Sequence, residues 1–140
     1  MTTKIINTLT GLVLLLAVAA PLHSGSILNH EMTVSVPFGF MAGDKPLPAG
    51  DYSVQVNPER GSIVLHQAGQ SPLILLTNQR ESTNTPPRGK LVFKRYGANF
   101  FLSEVWNQDN ATGQALTPSA AEKEMARKKQ PEQILVVQAR

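Results

Sequence analysis

Cysteine is missing from the 140-residue chain. That excludes a disulfide framework, a thiolate metal site, a cysteine nucleophile and a lipid anchor through an N-terminal cysteine. Charge is sparse as well: thirteen basic residues against ten acidic ones leave a formal +3. So small a surplus describes a solvated surface rather than an electrostatic footprint for an anionic partner. Of the three histidines, His23 lies in or beside the apolar start of the chain and His30 soon after it, while His66 has no acidic or histidine neighbour at metal-ligand spacing, so a surface role is expected for it. A nucleophile elbow, a zinc-protease helix and a phosphate-cradling glycine loop are all absent, and the glycines stand singly at turns. No catalytic, cofactor-binding or metal residue is therefore assigned. The only acid–base candidates are carboxylate pairs, Asp44 with Asp51 or Glu104 with Asp109, and turn formation is the simpler explanation of the first pair.

What the chain does have begins with a leader. Lys4 supplies a positive start, residues 9–20 are apolar apart from Thr10 and Gly11, and Ala17-Val18-Ala19 offers the small residues a signal peptidase needs. The run is short for a membrane span, which takes about 20 apolar residues, and Pro21 interrupts it. Residues 1–25 are expected to be a signal peptide cleaved between 19 and 26. Residues 26–140 are then a single β domain of about 115 residues, enough for one modest core without staples. Removal of Lys4 leaves twelve basic residues against ten acidic ones. No membrane span remains after cleavage, and a periplasmic or extracellular location follows.

Ten prolines and ten glycines favour short strands and turns over long helices. Met32, Val34, Val36 and Phe38 alternate with polar residues or proline, the period of a half-buried strand. Pro37 makes it an edge or ends it there. Residues 42–50 read as turn chemistry, and residues 51–56 as a strand with Tyr52, Val54 and Val56 on one face. Strands follow at 63–66 and 73–77. The second contains Leu73-Ile74-Leu75-Leu76, which has no polar face and implies burial on both sides or a central position. Residues 78–89 are polar and contain Pro86-Pro87, so a long exposed loop is expected.

The organising stretch is residues 91–106, LVFKRYGANFFLSEVW. Gly97-Ala98 in its middle suits a type II′ two-residue turn, which needs glycine first. With that turn Tyr96 faces Asn99, Arg95 faces Phe100 and Phe93 faces Leu102. Unbroken alternation then places Leu91, Phe93, Phe100, Leu102 and Trp106 on the core face, with Arg95 and Glu104 at its margins or paired. Val92, Tyr96, Phe101 and Val105 share the other face with Lys94 and Ser103.

Residues 107–114 read as a further polar loop containing the glycosylation-like triplet Asn110-Ala111-Thr112. Pro118 suits a first helical position, and Ser119 with Glu122 forms a capping box for a helix over 120–129. Its apolar face is thin, Ala121 and Met125, so a surface helix is expected before a last strand at 134–138. Arg88, Lys90, Lys94 and Arg95 beside Tyr96, Phe100 and Phe101 outline a single-strand-binding sheet. Export argues against a nucleic-acid partner, and core packing explains the aromatics.

Three motifs together carry a family resemblance: Val34-Ser35-Val36-Pro37-Phe38-Gly39-Phe40; Leu47-Pro48-Ala49-Gly50-Asp51-Tyr52; and Arg95-Tyr96-Gly97 followed by Phe101-Leu102-Ser103-Glu104-Val105-Trp106. With the leader, they make the chain resemble a group of small exported proteins abundant in acidobacterial genomes, whose function is uncharacterised. The resemblance implies an all-β domain outside the cytoplasm and no known catalytic residue, cofactor or ligand.

The expectation is an all-β fold: a small antiparallel β-sandwich or partly closed barrel of about seven strands, with one short C-terminal surface helix. Functionally it is a non-enzymatic binding or structural envelope protein whose partner is an envelope protein or glycan. The alternatives are a hydrolase or isomerase using carboxylates such as Asp44, Asp51 or Glu104 from a cleft, or a lipocalin-like carrier of an apolar ligand.

Overall fold

A computed structural model of the protein describes residues 30–128, 131 and 133–140. The expected leader, its cleavage position and His23 lie outside the described residues. Among those residues no helix is long and apolar enough to cross a membrane. Ten strands and one helix follow in order: β1 (His30–Val36), β2 (Phe40–Ala42), β3 (Lys45–Leu47), β4 (Gly50–Asn57), β5 (Ser62–His66), β6 (Leu73–Glu81), β7 (Lys90–Tyr96), β8 (Asn99–Trp106), β9 (Thr112–Leu116), α1 (Ala120–Lys128) and β10 (Gln133–Gln138). The described residues are mostly β, as expected, with one short helix.

The strands form one hydrogen-bonded sheet that does not close. Its path runs β1-β4-β5-β6-β9-β8, and β8 also pairs with β7, which carries β10. Since β7 follows β8 along its length, β9 and the short β2–β3 hairpin share the opposite edge of β8. β6 links the two halves: residues 73–76 pair with β5 and residues 77–81 with β9. β1 pairs with β4 alone and stops before Pro37, so it is the edge its proline implied. At the far end the Arg140 amide donates to the Thr33 carbonyl at 3.1 Å, tying the chain just beyond β10 to β1.

Three strands exceed the expected seven. β2 and β3 lie in and beside the turn-rich segment and pair across Gly43-Asp44, where Gly43 takes φ 60°. Pro46 is tolerated there because β3 is an outer strand. β9 replaces part of the expected loop at 107–114, and β6 runs on to Glu81, so the loop expected at 78–89 shortens to 82–89. Both extensions are polar. They pair with each other, and backbone hydrogen bonding rather than an apolar period defines them.

The core is one cluster shared by the two halves. Val34, Val36, Tyr52, Val54, Ile63 and Leu65 come from β1, β4 and β5, and meet Phe40, Leu91, Phe93, Leu102 and Val105 from β2, β7 and β8. Phe93 sits edge-on to Phe38 and Phe40, with ring centroids 5.0 and 5.2 Å away. Burying such side chains is the main stabilising term, about 1.5–3 kcal/mol each.

Two expectations about faces are corrected. The β7–β8 turn and its first pairs are as read, and Gly97 has φ 61°. Beyond Phe93↔Leu102, however, the register shifts to Val92↔Glu104, leaving Ser103 as an extra residue in a β-bulge. The bulge inverts the alternation, so Val105 points into the core while Glu104 and Trp106 point outward, Trp106 being buried there outside the core cluster. The second correction concerns β6. Leu73 and Leu75 pack on the core, but Ile74 and Leu76 are 66% and 79% exposed, so the run is buried on one side only, and the central position of β6 between β5 and β9 is the part of the expectation that holds.

Helix α1 begins as its cap implies, with the Glu122 amide donating to the Ser119 Oγ at 3.2 Å. Pro118 lies before that cap rather than at the first helical position. The expected apolar face is not what docks. Ala121 is exposed, Met125 is half-buried, and the buried residue is Glu122.

Candidate functional site

The outward face of the β7–β8 hairpin and the loops beside it make the most chemically furnished surface. Because of the bulge, Glu104 and Trp106 project from β8 toward Lys90 of β7 and Arg80 of β6. The Trp106 indole N–H donates to Glu104 Oε2 at 2.8 Å, and Arg80 pairs with Glu104 Oε1, also at 2.8 Å. Lys90 Nζ lies 5.8 Å from the indole centroid, within cation–π range. Gly113 of β9 backs the ring: a Cβ added there would stand 2.5–2.7 Å from three indole carbons. Only a residue without a side chain lets the indole approach this closely.

Two loops far apart in sequence close over this face. The Ser82 amide donates to the Ala111 carbonyl and the Asp109 amide to the Pro86 carbonyl, each at 2.9 Å. Asp109 adopts φ 54°, a left-handed conformation that aspartate tolerates better than most residues, and Pro86 is buried. Beneath them is a cleft of about 430 Å³ lined by Arg80, Ser82, Asn84, Lys90, Glu104 and Trp106, among others. Hydroxyls, an amide, two cations and the carboxylates of Glu81 and Glu104 line its wall. Glu104 has one oxygen committed to the indole and the other to arginine, so it serves as an anchor rather than a base.

A second cleft, about 350 Å³, lies beside Tyr52, Gln67 and Leu73. Its only charged lining residue is Lys45. The Tyr52 hydroxyl donates to the Pro48 carbonyl, and burial pushes its phenol above the usual range. It offers less chemistry than the first.

The carboxylates considered from sequence fall in separate neighbourhoods. Asp44 is exposed in the β2–β3 turn. Asp51, also exposed, accepts from the Ser35 hydroxyl and pairs with Arg140 at 3.1 Å. Asp109 accepts from Gln108 at 3.2 Å in the loop beside Glu104, and does not line the Glu104 cleft. His66 is exposed at the end of β5. Among the described residues, no group of three His, Asp or Glu is placed to hold a metal ion. The basic and aromatic residues of the hairpin do not form an open stacking platform. Tyr96 and Phe101 are buried, and Arg95 donates to the Gly97 carbonyl at 2.7 Å while lying 5.7 Å from the Phe100 ring.

Three participants escaped the sequence reading. Gln114 is fully buried and accepts from the Thr77 hydroxyl at 2.7 Å, joining β6 to β9 beneath the cleft. Gly113 is the floor on which the indole rests. Glu122 was named only as a capping residue, yet it is the buried contact of its helix. The capping pattern was the one signal that pointed to it. Compared with known proteins, the chain matches no family model, no curated protein and no solved structure.

Proposed function

We propose that the chain is an exported, non-enzymatic binding module of the periplasm or cell envelope, its folded-over sheet being of sandwich type. Its cleft beneath residues 82–89 receives a polar partner, an envelope glycan or protein. The observation that carries this reading is the pairing of two sequence-distant loops across a cleft rich in hydroxyl, amide and guanidinium groups. Such a lining suits recognition by hydrogen bonds on a rigid scaffold. The resemblance to small exported acidobacterial proteins agrees with it.

Two features favour binding over the alternatives. Glu104 is occupied by the indole and Arg80, and Asp44 and Asp51 stand elsewhere, so the carboxylates Asp44, Asp51 and Glu104 do not converge in this cleft. The interior between the half-sheets is filled by Tyr52, Phe93, Ile63 and Leu91, which favours a packed core over a carrier cavity.

Trp106, the only tryptophan, lines the cleft and supplies the test. Its emission is titrated with soluble peptidoglycan fragments at physiological salt, and a pull-down from envelope extract is run in parallel. Saturable change in emission, weakened by Arg80→Ala or Asn84→Ala, is the expected result. Retrieval of neither glycan nor protein would overturn the reading. Export is tested separately by N-terminal sequencing of the released protein, where an intact Met1 would refute it.

A further inference from the structure

β10 places the sequence of a protected strand at an unprotected edge. Gln133–Gln138 holds no charge and no proline, and its middle, Ile134-Leu135-Val136-Val137, is apolar on both faces. Runs of that kind belong to strands covered on both sides of the sheet. Among the described residues, however, β7 is the only strand that pairs with β10. Ile134 and Val136 are 55% and 51% exposed on the outer face. Leu135 and Val137, on the inner face, pack on the core but are only half-buried.

The other two strands with a single partner, β1 and β3, are guarded. β3 is three residues long and holds Lys45 and Pro46, while β1 carries Glu31 and stops before Pro37. Charge, proline and brevity are what keep a sheet edge from pairing with another chain. β10 has none of them.

The ladder shows which backbone groups stand open. The Ala139 amide donates to the Gly89 carbonyl at 2.7 Å, so β10 residues in phase with it, Leu135 and Val137, turn their peptide groups toward β7. Those of Ile134 and Val136 turn the other way. The Arg140 amide shares their phase and accordingly reaches the Thr33 carbonyl of β1, at 3.1 Å. β1 thus meets this side just past the end of β10, and Ile134 and Val136 lie upstream of that contact.

We propose that the open edge of β10 is a homodimer interface, where the β10 of a second copy pairs antiparallel and joins the two sheets across a two-fold axis. The occupant is a second copy because β10 complements itself. A two-fold that keeps both cores on one side of the joined sheet must set outer residues opposite outer residues. Centred on Leu135, it does so: Ile134 of each copy stands opposite Val136 of the other. These are the residues whose peptide groups are open, so the ladder and the side chains call for the same register. The exposed aliphatic side chains then cover one another, and no charge of β10 is buried.

Cysteine is missing from the chain, so a single introduced thiol reports one contact without background. In this register the two Leu135 α-carbons form a non-hydrogen-bonded pair about 4.5 Å apart, within disulfide reach. The two Val137 α-carbons are about 14 Å apart. Mild oxidation should therefore link Leu135→Cys into a covalent dimer and leave Val137→Cys unlinked. Sedimentation of the wild-type protein should show a dimer as its concentration rises toward about 1 mM. Val136→Lys, which sets a charge in the joined edge, should stay monomeric while keeping its β circular-dichroism spectrum. A wild type that is still monomeric at about 1 mM would overturn the proposal. So would a dimer that Val136→Lys leaves intact, or equal cross-linking at the two cysteine positions. If Val136→Lys fails to fold, the cysteine pair and the wild-type mass decide.

Discussion

The inward side of the β7–β8 hairpin carries Leu91, Phe93, Leu102 and Val105, and the outward side carries Val92, Tyr96, Phe101 and Trp106. Both sets are buried, but what buries them differs. The inward set is covered by β1, β4 and β5, whose side chains interlock over a shared core and whose backbones are fixed in ladders. The outward set lies outside that core, beside loops closed with two backbone hydrogen bonds. Equal burial therefore does not mean equal rigidity. A side chain under a sheet can escape only if the domain opens, whereas one under a helix or loop is released by a local event.

The largest expected contrast tests that claim directly. Phe93→Ala should cost about 3–5 kcal/mol, because the packed core cannot collapse around the lost ring. Phe101→Ala on the outward side should cost clearly less, since Phe101 packs outside the shared core. Urea unfolding followed by circular dichroism measures both, and equal losses would break the distinction between the two faces.

A smaller effect is expected where the outward side is tightest. Gly113→Ala places a methyl group within 2.5–2.7 Å of the Trp106 indole. The ring must move, at about 1–3 kcal/mol for an overpacked site. Trp106 emission should shift with it, while the inward aromatic contacts stay unchanged in side-chain NMR. Unchanged emission would mean that the indole does not rest on this glycine.

The smallest effect on stability belongs to Arg80→Ala. The arginine side chain is 62% exposed, so its pair with Glu104 should contribute no more than about 1 kcal/mol. A loss well above that in urea unfolding would show that the network around Glu104 is part of the framework rather than a surface fitting.

Sequence could be read wherever the determinant is local. Gly97-Ala98 fixes a tight turn, and from it the pairs Tyr96↔Asn99, Arg95↔Phe100 and Phe93↔Leu102 follow by counting. Ser119 announced the helix in the same way. Counting fails at Ser103, because a bulge is decided by how β8 meets its neighbours, and one extra residue reverses every side chain after it. That step sent Trp106 and Glu104 from the supposed core to the candidate site. β9 was illegible for a related reason. TGQAL has no apolar alternation, and it becomes a strand because the polar end of β6 needs a partner. Gln114 and Glu122 show the same limit in side chains. Both are polar residues that the fold buries, and for Gln114 the group that makes burial acceptable, Thr77, is distant in sequence.

β6 pairs with β5 through its first half and with β9 through its second. A disturbance that loosens Leu73 is thus transmitted along one strand to the ladder beside Gln114. The two halves consequently have no seam along which they could melt one after the other. Heating should produce a single transition, with calorimetric and van't Hoff enthalpies in agreement.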